Sequence, residues 1–222
     1  MDKQTESSNE GAAKQQMKHS AAHCLLLLGF MILPSLTPIP SGWIIRRLLP
    51  PVLYGATVLC VPALRRSATW IRFGKIHPRL LVQTSMVIVT SVGSLTLWYS
   101  LVHPDLRFFA LRFAYSSQWQ TVTAGLVFAI LNSSIEEIAW RGVILEALAA
   151  RNGLRFAVFA QAVLFGISHS NGIPGGGPGM LMASVYGLLL GGLRISSGGM
   201  VLCIVAHCCA DATIFALAVQ DR

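Results

Sequence analysis

The 222-residue chain is 54% hydrophobic and only 12% charged, with a mean hydropathy of +0.61 and a formal net charge of +8. Soluble domains carry about 25% charged residues, so this composition excludes an ordinary water-soluble fold and predicts an all-α, polytopic helical membrane bundle. The basic residues sit in short gaps between apolar runs and are not gathered with aromatics into a patch, which argues against nucleic acid as a partner.

Residues 1–18, "MDKQTESSNEGAAKQQMK", are polar and aperiodic and are expected to form a disordered tail. The apolar run that follows (about 20–40) has the length of a signal peptide, but "PSLTPIP" comes next without a small-residue cleavage pattern; an uncleaved first span is the expectation and cleavage the alternative. Further apolar runs lie at about 48–64, 80–102, 120–149, 154–171, 179–195 and 199–219. A helix needs roughly 20 residues to cross a bilayer, so the pattern predicts about seven spans. Pro50, Pro51 and Pro62 make the second run a candidate for a kinked or re-entrant segment. The chain divides into the tail (1–18), N-terminal spans (19–118) and a C-terminal core (119–222).

Lysine and arginine placement sets the orientation. With the N-terminus inside, Lys3, Lys14, Lys18, Arg65, Arg66, Arg72, Lys75, Arg79, Arg141, Arg151, Arg155 and Arg194 are on the cytoplasmic side, twelve of the seventeen basic residues. Arg46, Arg47, Arg107, Arg112 and Arg222 are opposite, so a cytoplasmic N-terminus is expected, in the cell membrane if the source is prokaryotic. The stretch "GIPGGGPG" (172–179) is expected to be a loop, either a connector or a flap near a site. Gly187 and Gly191 in "GLLLGG" put small residues on one helix face for close packing. The five cysteines (Cys24, Cys60, Cys203, Cys208 and Cys209) fall in or beside apolar runs without CxxC spacing, so no disulfide framework or zinc ribbon is indicated.

The polar residues inside the apolar runs need a reason, because each ionisable group costs roughly 2.5–3.5 kcal/mol at a helix centre on insertion scales. In "SSIEEIAWRGVILEAL", Glu137 and Arg141 are four apart and share a face, so they can pair. Glu136 is turned about 100° away and has no such partner in its own helix. A bland reading is a salt bridge plus a snorkelling glutamate, but two adjacent glutamates exceed what a bridge requires. His169 closes "FGISH", one turn after Phe165, and His207 and Asp211 lie one turn apart in "HCCAD". At about 1.5 Å per residue, Glu136 and His169 each fall about 21 Å from the cytoplasmic end of their helices and His207 about 12 Å. One buried cluster is therefore possible.

The ordered set EExxxR, FxxxH and HxxxN/D resembles the signature of the CPBP family, the CAAX-protease and bacteriocin-processing intramembrane endopeptidases. Here it reads Glu136, Glu137 and Arg141; Phe165 and His169; His207 and Asp211. The resemblance covers about residues 120–219. The family often has asparagine at the last position, where this chain has Asp211. An ionised carboxylate cannot donate to an oxyanion, so Asp211 either is protonated or orients His207.

The resemblance implies a glutamate-type intramembrane endopeptidase. Glu136 would activate water, His169 would position it, and His207 with or without Asp211 would stabilise the oxyanion. Glu137, Arg141 and Phe165 would support the site. Its substrate would be a membrane-associated protein or peptide met in the lipid bilayer, and no metal or cofactor is expected. Two rivals stand beside it. One is a metal enzyme, since Cys203, His207 and Asp211 recur at i, i+4 and i+8, although HExxH is absent. The other is a non-proteolytic immunity protein or proton-coupled transporter that uses glutamate and histidine as a relay.

Overall fold

The computed structural model describes residues 3–36, 43–110 and 117–220. Arg112, Arg222 and the 37–40 end of the first apolar run lie outside the described residues. Among the described residues the chain is helical, with no strand. The helices are α1 (Lys3–Leu36), α2 (Trp43–Cys60), α3 (Pro62–Ser67), α4 (Pro78–Val102), α5 (Arg107–Ala110), α6 (Gln118–Glu137), α7 (Leu145–Asn152), α8 (Leu154–Ser168), α9 (Gly176–Ser197) and α10 (Val201–Gln220). Short 3-10 turns occupy Thr69–Ile71 and His169–Asn171, and π-helical turns at Ile138–Ile144 join α6 to α7.

Among the described residues, four helical stretches are long and apolar enough to cross a membrane: Pro78–Val102, the continuous helix Gln118–Asn152, Gly176–Ser197 and Val201–Gln220. The other predicted runs are helical but shorter or less apolar. The fifteen residues of α8 rise only about 22 Å, against a hydrocarbon core of about 30 Å. The second run is an unbroken helix through Pro50 and Pro51, and Pro62 opens α3, where a missing N–H costs nothing. The polar stretch expected to be a disordered tail belongs to α1, which begins at Lys3; it is rich in Ala, Gln, Lys and Glu, which favour helix, and lacks proline.

The spans pack α8 against α9, and α10 against both α6 and α4, while α1 leans on α2 and α7. Small residues set the closest approaches. A Cβ on Gly187 would meet Ala162, and one on Gly191 would meet Gln161 Nε2 at 2.9 Å. The GLLLGG face is thus the α8 contact, and Gln161 Nε2 donates to the Gly187 carbonyl at 2.9 Å. The glycine-rich stretch is loop only to Gly175. Residues 176–179, expected to be loop as well, form the first turn of α9, because the first backbone N–H groups of a helix have no intrahelical acceptor and Pro178 there forfeits no bond.

Candidate functional site

The π-helical turns begin immediately after Glu137 and carry Arg141 at their centre. Such turns are rare and are frequent at functional sites. Gly142 lets Trp70 seat on them, since a Cβ would lie 2.6 Å from the Trp70 Cβ. Glu137 and Arg141 are both fully buried, and Arg141 Nη1 donates to Glu137 Oε1 at 2.7 Å. From α10, His207 Nδ1 donates to the same oxygen at 2.7 Å, because an ionised carboxylate can only accept. The unit therefore ties the α6–π–α7 helix to α10.

The second imidazole nitrogen is turned to two more carboxylates. His207 Nε2 lies 3.8 Å from Glu136 Oε2 and 3.8 Å from Asp211 Oδ1. On the other edge of these carboxylates, Asn132 Nδ2 donates to Asp211 Oδ2 at 3.0 Å and to Glu136 Oε1 at 3.3 Å. Glu136 thus has a partner in its own helix after all, one turn back. That partner was legible in the sequence, where an amide stands four residues before Glu136 on an otherwise apolar helix. His207 Nδ1 is oriented by Glu137, and Asp211 stands on the side of Nε2, at 3.8 Å.

Phe165 is the hydrophobic hub. Its ring lies under the Arg141 guanidinium at 4.4 Å, beside His169 at 4.4 Å and Trp140 at 5.5 Å, and edge-on to His207 at 6.1 Å. The guanidinium placement is that of a cation–π contact. Tyr186 of α9 closes the other side of His207, with ring centres 5.6 Å apart; no sequence pattern singled it out. His169 Nδ1 donates to the Phe165 carbonyl at 2.8 Å, which leaves Nε2 as the ring's other nitrogen.

A cavity of about 1060 Å³ opens against this cluster. Glu136, Asn132, His169 and Asp211 reach its wall, together with Trp70, Trp98, Phe109, Phe128 and Trp140, while Glu137 and His207 stand behind. Two neighbouring glutamates are therefore separated as their 100° offset predicts, one facing the cavity and one facing the core. Among the described residues, no three His, Cys, Asp or Glu side chains are grouped as metal ligands. Cys203, which shares a helix face with His207 and Asp211, donates instead to the Leu190 carbonyl at 3.5 Å.

Residues 118–213 match the family of Rce1-like, type II CAAX prenyl endopeptidases. The match takes in α6 through most of α10 and every residue on which the CPBP resemblance was read, and that resemblance is thereby shown. No curated protein and no solved structure matches the chain. The matched family is one of proteases, and the four membrane-capable helices support an integral membrane protein.

Proposed function

We propose that the protein is an intramembrane endopeptidase that hydrolyses a peptide bond through water activated by Glu136. The observation that carries this reading is the division of labour between the two glutamates. Glu137 is committed to Arg141 and His207 in the core, whereas Glu136 presents its carboxylate to a large cavity. A water between Glu136 and His169 gives up its proton to the Glu136 carboxylate as its oxygen attacks the carbonyl carbon. His169 Nε2 accepts a hydrogen bond from that water. The oxyanion forms on the side of His207 Nε2, the donor there when the imidazole carries both protons, and stabilisation of that charge contributes the larger share of such catalysis. Glu136 then returns the proton to the leaving amine, which closes the cycle.

The matched family's name favours a prenylated C-terminal CaaX segment as substrate, whose isoprenoid would lie among the aromatic cavity walls. Residues 119–222 form the catalytic core in this reading. The test is cleavage of a farnesylated CaaX peptide by purified protein. Glu136→Gln should lower turnover by at least about 10²-fold while the protein stays folded, and wild-type turnover in that variant would remove Glu136 from the mechanism.

The charge asymmetry between loops supports a cytoplasmic N-terminus and a cytoplasmic position for residues 65–79. A cysteine replacing the exposed Arg66 in a cysteine-free background should resist an impermeant thiol reagent outside intact cells. Ready labelling would invert the topology.

A further inference from the structure

Residues 71–77, between α3 and α4, play no part in the chemistry above, yet their backbone is fixed. The Lys75 N–H donates to the Ser197 carbonyl at 2.7 Å, the Met200 N–H to the Arg72 carbonyl at 3.0 Å, and the Val201 N–H to the Phe73 carbonyl at 3.4 Å. Gly74, at φ 93°, packs backbone to backbone on Gly199, and a Cβ on either would collide with the other strand of chain. The result is a rigid strap laid across the turn between α9 and α10.

On that strap Ile71, Phe73 and Ile76 are 43%, 78% and 60% exposed, and every residue from 71 to 79 is exposed. A fixed backbone that holds three large apolar side chains away from the protein marks an interaction surface. Arg65, Arg66, Arg72, Lys75 and Arg79 surround them, all exposed. No Asp or Glu occurs between Glu10 and Asp105, and among the described residues none of these five cations has a carboxylate partner. The depth of the strap is set by its attachments. Pro78 starts α4 and Val201 starts α10, both membrane-capable helices, so the strap lies level with one membrane face.

We propose that residues 71–76, flanked by Arg65, Arg66 and Arg79, are a docking site for anionic phospholipid headgroups. Phe73 and Ile76 sit at the boundary between headgroups and acyl chains, and the cations engage the phosphates. An acidic soluble partner would meet the charges but leave the apolar side chains unmatched at that depth. An anionic bilayer surface satisfies both.

The test uses the full chain in phosphatidylcholine bilayers containing a minority of phosphatidylglycerol. Spin-labelled phosphatidylglycerol and phosphatidylcholine report which lipid the protein retains. Wild-type protein should prefer phosphatidylglycerol, and Arg72→Gln/Lys75→Gln should reduce that preference about twofold or more, as should high salt. Arg151→Gln/Arg155→Gln, which removes as much charge elsewhere, should leave it in place. Independently, a nitroxide on Phe73→Cys in a cysteine-free background should be more accessible to oxygen than to a water-soluble nickel chelate, as at the lipid-facing control Val82→Cys. An aqueous nitroxide, absence of preference in the wild type, or preference unchanged in Arg72→Gln/Lys75→Gln each overturns the proposal. Neither measurement reads proteolysis, so their outcome is separate from that of the proposed activity.

Discussion

Two buried polar clusters hold this molecule together, and they are built on opposite principles. Between α1, α2 and α3 the cluster is neutral and closed. Trp70 Nε1 donates to Tyr54 Oη at 3.0 Å, and Tyr54 Oη donates to His23 Nδ1 at 2.9 Å. His23 Nε2 then donates to Ser67 Oγ at 3.0 Å, which passes its own proton to the Leu64 carbonyl at 2.9 Å. Each hydrogen finds an acceptor and the chain ends on backbone. Between α6 and α10 the cluster is ionic and open. Among the described residues, Glu137 Oε2 and two guanidinium nitrogens of Arg141 have no hydrogen-bond partner, and Glu136, His169 and Asp211 face the cavity. A closed neutral chain can only fix helices in place. An open ionic cluster keeps acceptors and donors for a ligand, at the cost of depending on every charge in it.

That contrast is broken most sharply at Glu137. Glu137→Gln leaves Arg141 a buried cation without its counter-charge and should destabilise the fold by about 3–5 kcal/mol, read as loss of folded protein in detergent and of turnover together. A variant that folds as the wild type does would mean the ionic cluster is no more demanding than the neutral one.

The next largest effect tests whether the openness of the cluster is used. Asn132 donates to both cavity-facing carboxylates, and hydrogen bonds to charged groups are worth about 1.5–3 kcal/mol. Asn132→Ala should therefore lower kcat roughly ten- to a hundredfold with KM little changed. Asp211→Asn should instead be tolerated or improve turnover. Its carboxamide oxygen still accepts from Asn132, and its N–H2 faces the region of Glu136 and His207 as an additional donor. Loss of turnover at every pH in Asp211→Asn would show that the carboxylate charge itself is required.

The smallest effect is expected in the closed cluster. Tyr54→Phe removes the hydroxyl that serves both His23 and Trp70 and should cost about 1–3 kcal/mol, seen as a lower unfolding temperature. Turnover of the folded fraction should stay at the wild-type level, and a loss of turnover without loss of stability would place this cluster in the chemistry.

Helical membrane architecture was legible from composition and from the length of the apolar runs, because a span in lipid bonds its own backbone and about 20 apolar residues fit a crossing helix. The Glu137–Arg141 pair and the opposite facing of Glu136 followed from helical spacing, since residues four apart stack and adjacent ones diverge. The three motifs were readable as a resemblance, and their order along separate apolar runs made one cluster plausible. Other features depended on which helices became neighbours. The bond from His207 to Glu137 spans seventy residues and that from Asn132 to Asp211 spans seventy-nine. Neither can be read from local periodicity, which says which face a residue occupies but not what that face meets. The same limit hid the strap, whose register is set by backbone bonds to the α9–α10 turn, and the Tyr186 ring against His207. Sequence fixed the faces of each helix through its 3.6-residue repeat. Packing of α10 against α6, and of α9 against α8, decided which polar groups on those faces share one site.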